Sequence, residues 1–192
     1  MTKRDAICDA ALELFAEQGI EATTIRDIAQ RADAAEGTLY RHFKGKDDLA
    51  GWLYQRCAQE LQSRLAEATE AAATPAEKLE ALIRGVFDFF GERPTSCTYL
   101  LSNRSEDAGG DGQASAQAST EVPPPLGFFV EVIEAGQKED AFQDEAAPLL
   151  AGWILAMVQR TVLFLKAGTL GGTRASAIDR TVHGALRLVT VN

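Results

Sequence analysis

The sequence has little of what catalysis, secretion or membrane insertion requires. Its three cysteines, Cys8, Cys57 and Cys97, stand far apart with no CxxC pair. That spacing argues against a disulfide framework and fits a reducing cytoplasm. There are only two histidines, His42 and His183, and neither has metal-ligand spacing with a cysteine or with the other, so no metal and no cofactor is expected. HExxH, GxSxG, GxxxxGK[ST] and GxGxxG are all missing, and the expectation is a protein that is not an enzyme. Positive charge is also scarce: 19 Lys and Arg face 28 Asp and Glu, a net charge of −9. Taken over the whole chain, that deficit counts against a nucleic-acid partner.

Long uncharged apolar runs are lacking too. The most hydrophobic window, Leu149 to Leu165, contains Gly152, Gln159 and Arg160. A membrane span needs about 20 apolar residues, and a central arginine costs about 2.5 kcal/mol or more. The window reads as a buried helix, and no membrane partner is expected. The first residues lead into a stretch carrying Asp9, Glu13 and Glu17, unlike a signal peptide, so a cytoplasmic protein is expected.

What is present is helical spacing, with no sustained two-residue alternation. Ile7, Ala11, Leu14 and Phe15 share a face before Gly19. Thr24 and Asp27 make a capping-box pair ahead of Ile25, Ile28, Ala29 and Ala32. A short helix is predicted from about Ala35 to Phe43, then a long one from Lys46 with the stripe Leu49, Leu53, Cys57, Leu61, Leu65, Ala68. Thr74-Pro75-Ala76-Glu77 starts another, which ends at Gly91, and Pro94 opens a stretch to about Ser102. Residues 103–122 have no apolar period and read as a mobile loop. Leu126, Phe129, Val130 and Ile133 mark a helix closed by Gly136, and two more run from about Asp144 to Ala167 and Thr173 to Thr190. The fold class is all-α, with about nine helices.

Two of the short helices lie close together between Thr24 and Phe43, joined by Arg31-Ala32-Asp33-Ala34 and preceded by a longer one. This is the layout of a helix-turn-helix. Leu39 and Phe43 are four apart and are assigned to its core. Between Thr38 and Lys46 there are three basic residues and no acid. The acidity lies mainly elsewhere: residues 1–47 carry 7 basic and 9 acidic side chains, against 12 and 19 in 48–192. The distribution of charge, unlike its total, points to DNA.

Thr24-Ile25-Arg26-Asp27-Ile28-Ala29, followed by Gly37-Thr38-Leu39-Tyr40-Arg41-His42-Phe43-Lys44-Gly45-Lys46-Asp47-Asp48-Leu49, closely resembles the DNA-binding domain of the tetracycline-repressor (TetR) family. The resemblance covers roughly residues 3 to 50. It implies a three-helix DNA-binding domain (residues 1–47) and a helical ligand-binding and dimerisation domain (48–192). The implied function is that of a homodimeric repressor released from operator DNA by a small-molecule effector. A helical protein-interaction module without small-molecule induction is the alternative.

The residues suit these roles chemically. Thr24 and Lys46, at helix N-termini, and Tyr40 and His42, with polar tips, are expected to meet phosphates. Arg26 suits a bidentate pair with guanine, as the matching position makes in some relatives. Glu36, Gly37 and Thr38 are the candidates for base edges, and Arg41 and Lys44 add cationic surface. In the body, Phe87, Phe90, Tyr99, Phe128, Trp153, Met157 and Phe164 are candidates to line a ligand cavity, with Gln159 and Arg160 either as its polar contacts or as bonds across the subunit interface. Each aromatic taken singly is better explained as core. The last two helices, broadly apolar, are expected to form a four-helix interface between subunits.

Overall fold

The computed structural model describes residues 2–102 and 125–190, and the predicted loop at 103–122 lies outside them. Among the described residues there are nine α-helices and no strand. They are α1 (Lys3–Gln18), α2 (Ile25–Arg31), α3 (Glu36–Tyr40), α4 (Lys46–Thr69), α5 (Pro75–Glu92), α6 (Pro94–Ser102), α7 (Leu126–Lys138), α8 (Ala147–Ala167) and α9 (Arg174–Val189).

The starts of these helices follow from local chemistry. Thr2 and Asp5 form a capping box at α1, with the Asp5 amide on the Thr2 hydroxyl at 3.2 Å and the Thr2 amide on the Asp5 carboxylate at 2.8 Å. Thr74 and Glu77 repeat the arrangement at α5, where the Glu77 carboxylate also takes the Ala73 amide at 2.9 Å. Each box satisfies amides that a helix start leaves without intrahelical partners. Gly19 closes α1 at φ +84°, a region that favours glycine.

Several ends differ from the sequence expectation, each for a tertiary reason. α7 continues through Gly136, whose missing side chain makes room for the Phe142 ring. α5 likewise runs past Gly91, where the Arg174 guanidinium occupies the space a side chain would need. α3 stops at Tyr40 because the amides of His42 and Phe43 both turn onto the Leu39 carbonyl at 2.9 Å. α8 starts at Ala147, with Pro148 in its first turn, because the chain before it is held elsewhere. The Gln143 amide donates to the Val189 carbonyl at 2.8 Å, and its side chain to that of Leu188 at 2.7 Å.

Two compact units divide the described chain, one of residues 2–59 and 93–102, the other of 60–92 and 125–190. The boundary falls within α4, whereas the sequence suggests a division at its start. In the first unit α1 packs on α2, α3 and α6 around Ile7, Leu14, Phe15, Ile28, Leu39, Leu53 and Tyr99, all at most 5% exposed. In the second, α5, α7, α8 and α9 enclose Leu82, Phe87, Phe129, Ile133, Ile154, Val158 and Ala185, all fully buried.

The expectation that the apolar window in α8 is a buried helix needs correction. α8 is long and apolar enough to cross a membrane by length and composition, yet only 28% of its most apolar window is buried. One face, with Leu150, Ile154, Val158 and Val162, is packed. Leu149, Trp153 and Phe164 are 40–47% exposed. A helix apolar on all sides but packed on one leaves a large apolar surface for something else to cover.

Candidate nucleic-acid interface

The first unit builds a helix-turn-helix from local caps and turns and one tie back to α1. The Thr24 hydroxyl accepts the Asp27 amide at 3.2 Å and donates to the Asp27 carboxylate at 2.6 Å, starting α2. The hydroxyl, and then the Thr24 amide at 3.0 Å, donate to the Asp27 carboxylate and hold it below the usual carboxylate range. The turn after α2 passes through Asp33 at φ +46°, a conformation aspartate tolerates better than most residues. The Lys3 ammonium donates to the Asp33 carbonyl at 2.6 Å and so fixes that turn to α1. Leu39 and Phe43, at 0% and 4% exposure, are the apolar underside of α3, as the sequence implies.

The outer surface then follows. Arg26, Glu36, Gly37, Tyr40, Arg41, His42 and Lys44 are exposed and Thr38 is half-buried. Tyr40, at 57% exposure, is the most exposed of the large apolar side chains. Among the described residues Arg26, Arg41 and Lys44 are in no salt bridge. Arg31 is different: Glu13 and Glu17 of α1 hold it at 3.2 and 3.4 Å. A side chain added at Gly37 would meet nothing within 4 Å, so the bare backbone there is open to an approaching molecule. Charge-free backbone, a phenol and unpaired cations on one short segment are the elements of a surface that meets phosphates and base edges.

Two expected phosphate contacts have other work in this structure. The Thr24 hydroxyl is engaged by Asp27 in both directions. The Lys46 ammonium donates to the carbonyls of Ile20 at 2.7 Å and Glu21 at 3.3 Å, tying the start of α4 to the segment after α1. Both residues shape the head. A feature that sequence reasoning missed lies beside it. The Arg4 guanidinium sits 4.5 Å from the Trp52 ring and 5.6 Å from that of Phe43, with Arg56 5.6 Å from Trp52. Only the i,i+4 spacing of Trp52 and Arg56 hinted at it; Arg4 arrives through tertiary packing.

Residues 7–51 match the family model described as bacterial regulatory proteins, tetR family. These residues thus carry a DNA-binding domain similar to that of the tetR family. The transcriptional repressor KstR2 of Mycolicibacterium smegmatis is 34% identical over 92 residues, covering 48% of this chain and 45% of the repressor. The chain thus aligns with less than half the length of the curated relatives it matches. Over the full fold, a tetR family transcription regulator from Shewanella sp. PV-4 superposes with a TM-score of 0.78 at 20% identity, covering 100% of both chains. AibR, crystallised with isovaleryl coenzyme A and operator DNA, superposes at 0.76 with 18% identity, covering 95% of this chain and 97% of its own. The all-helical fold of the chain is therefore one that these solved structures share.

The residues considered for a ligand cavity are dispersed. Tyr99 belongs to the first unit, stacked on Phe15 at 5.9 Å and bonded to the Ala50 carbonyl at 2.9 Å. In the second unit Phe87 is fully buried, Phe90 and Phe128 are half-buried, and Arg174 lies 5.9 Å from the Phe90 ring. Trp153 is 47% exposed, and Gln159 is half-buried. Met157, Arg160 and Phe164 do come together, on the wall of an open cavity of about 580 Å³ between α8 and α9.

Proposed function

We propose that this chain is a dimeric, sequence-specific transcriptional repressor, released from its operator by a small-molecule effector. The observation that carries the reading is the exposed set Arg26, Tyr40, Arg41, His42 and Lys44 around a helix-turn-helix whose core is closed by Leu39 and Phe43. In this reading residues 1–47 are the DNA-reading head and 48–192 the regulatory body. Glu36, Gly37 and Thr38 face base edges, Arg26 pairs with guanine, and Tyr40, His42 and Lys44 meet phosphates. Thr24 and Lys46 hold the head in shape and present backbone to the phosphates. The protein acts in the cytoplasm, on double-stranded DNA, without catalysis.

Two half-sites about one helical turn apart require two heads related by a twofold axis. The exposed apolar side chains Leu149, Trp153, Phe164 and Leu170 of α8 and the segment after it supply a surface for the second copy. AibR, whose structure holds both isovaleryl coenzyme A and operator DNA, supports an effector-responsive reading for this fold. An effector releases DNA only if it binds the DNA-incompetent state more tightly.

Fluorescence anisotropy with DNA from upstream of the chain's own coding sequence, at two salt concentrations, tests the DNA reading. Phosphate contacts make affinity fall steeply as salt rises. A flat salt response, or no binding, would overturn it. Sedimentation at micromolar concentration tests the dimer, and a monomer there would remove that part.

A further inference from the structure

The cation–π cluster beside the head has no part in the contacts assigned so far. Arg4, Trp52 and Arg56 lie outside residues 7–51, the segment that the family model matches. All three belong to the first unit, and none is on the apolar face of α8 assigned to the second copy. The two cations that open α1 differ in their partners. The Lys3 ammonium is tied to Asp33, to its carbonyl at 2.6 Å and its carboxylate at 3.5 Å. Arg4 is exposed and in no salt bridge among the described residues. Ring faces hold its guanidinium instead, Trp52 at 4.5 Å and Phe43 at 5.6 Å. Of the neighbouring acids, Asp5 is closed into the capping box with Thr2, Asp48 takes the Lys44 amide at 2.9 Å, and Asp9 is exposed in no salt bridge.

We propose that Arg4, positioned by Trp52 and Phe43, makes a further phosphate contact on the DNA, outside the helix-turn-helix itself. The inference rests on the DNA reading above and adds to it a residue of α1 and a positioning partner on α4. A guanidinium over an aromatic face is fixed in place while the N–H donors on its edge stay available, and its planar fork fits two phosphate oxygens at once. The Phe43 ring that Arg4 covers also meets the His42 ring at 6.5 Å, edge on. Arg4 therefore abuts the segment His42-Phe43-Lys44, two residues of which the reading above sets on phosphates. Arg56, 5.6 Å from Trp52, is likewise exposed and in no salt bridge among the described residues. Two cations at one ring repel each other in the free protein, and a polyanion relieves that repulsion.

The test is a salt series of fluorescence anisotropy with the full chain on DNA from upstream of its own coding sequence, joined to ethylation interference on the same fragment. Arg4→Gln weakens binding roughly tenfold at low salt and lowers the slope of log affinity against log salt by about 1 for each head bound. Arg4→Lys restores the slope, because the charge returns, but not the full affinity, because the fork does not. Trp52→Leu leaves the charge and frees it to move, so affinity falls while the slope holds. In each half-site, one phosphate whose ethylation weakens wild-type binding has no effect on Arg4→Gln. A wild-type slope and interference pattern in Arg4→Gln would overturn the contact, whatever its melting temperature, and leave Arg4 a cover over the Phe43 ring. Wild-type affinity in Trp52→Leu would remove the positioning role of that ring. Absence of binding by the wild-type chain strikes at the repressor reading and takes this contact with it, whereas failure in the variants alone strikes only here.

Discussion

The Tyr99 hydroxyl donates to the main-chain carbonyl of Ala50 at 2.9 Å, joining α6 to the first turns of α4 across 49 positions of sequence. Its ring, 1% exposed, stacks on Phe15 of α1. Burial raises the phenol's pKa above its ordinary range, so it stays a neutral donor. α6 is thereby built into the same compact unit as the helix-turn-helix. Tyr99→Phe should cost about 1–2 kcal/mol through the lost hydrogen bond, and Tyr99→Ala about 3–5 kcal/mol through the cavity left behind. Urea unfolding measures both, and a Tyr99→Phe chain as stable as wild type would show that the hydroxyl contributes nothing.

Lys46 and Lys44, two residues apart, should respond oppositely to removal of charge. Lys46 is committed to the Ile20 and Glu21 carbonyls, whereas the Lys44 side chain is exposed. Lys46→Met should cost about 1 kcal/mol of stability, a charged hydrogen bond discounted for partial exposure. Lys44→Met should leave stability within about 0.5 kcal/mol and lower the slope of log affinity against log salt by about 1. Salt-series anisotropy with thermal melts separates the two.

In the proposed reading Tyr40 meets phosphate and Thr38 faces base edges. Tyr40→Ala should weaken operator and non-specific DNA alike, because phosphate contacts carry no sequence information. Thr38→Ala should change which operator bases are preferred. Gel shifts against a small set of operator variants check this, and wild-type binding by both would remove the assignment.

Gly136 is the position where one added methyl group should do most harm. A side chain there would run into the Phe142 ring, which is 3% exposed and cannot swing aside into solvent. Gly136→Ala should therefore destabilise by about 1–3 kcal/mol despite the better helix propensity of alanine. Pairing it with Phe142→Leu should recover part of the loss. Equal unfolding midpoints for the single variant and wild type would exclude the clash.

The capping box of α2 should add to the acid sensitivity of the first unit. Asp27 titrates below its ordinary 3.8 because the Thr24 hydroxyl and amide donate to its carboxylate. A lowered folded-state pKa means its contribution is complete above about 3.8 and is lost as pH falls through the folded value. Asp27→Asn should flatten the dependence of melting temperature on pH below about 4 and leave other regions of the curve in place. An unchanged acid limb would assign it to other carboxylates.

The sequence by itself determined the helices and the head. Capping boxes at Thr24 and Thr74, the glycine after α1 and the apolar spacing act within a few residues, and such signals survive without tertiary contacts. The pairing of Leu39 with Phe43 was legible for the same reason, since a four-residue spacing fixes a helix face. Tertiary structure alone decided what long side chains reach. Lys46 is a free cation in sequence, yet it has carbonyls 25 and 26 residues away as partners. Tyr99 looks like a cavity aromatic, yet it joins the first unit because a hydroxyl cannot show in sequence which carbonyl it will meet. Gly91 and Gly136 read as helix ends, yet each is a space filled by another side chain, Arg174 from far along the chain or Phe142 from just past α7. Arg160 stands out in sequence as a cation within an apolar helix, but only the packing of α8 against α9 brings it to the same open groove as Arg180. Local periodicity fixes which face a residue occupies, and only packing decides what stands opposite it.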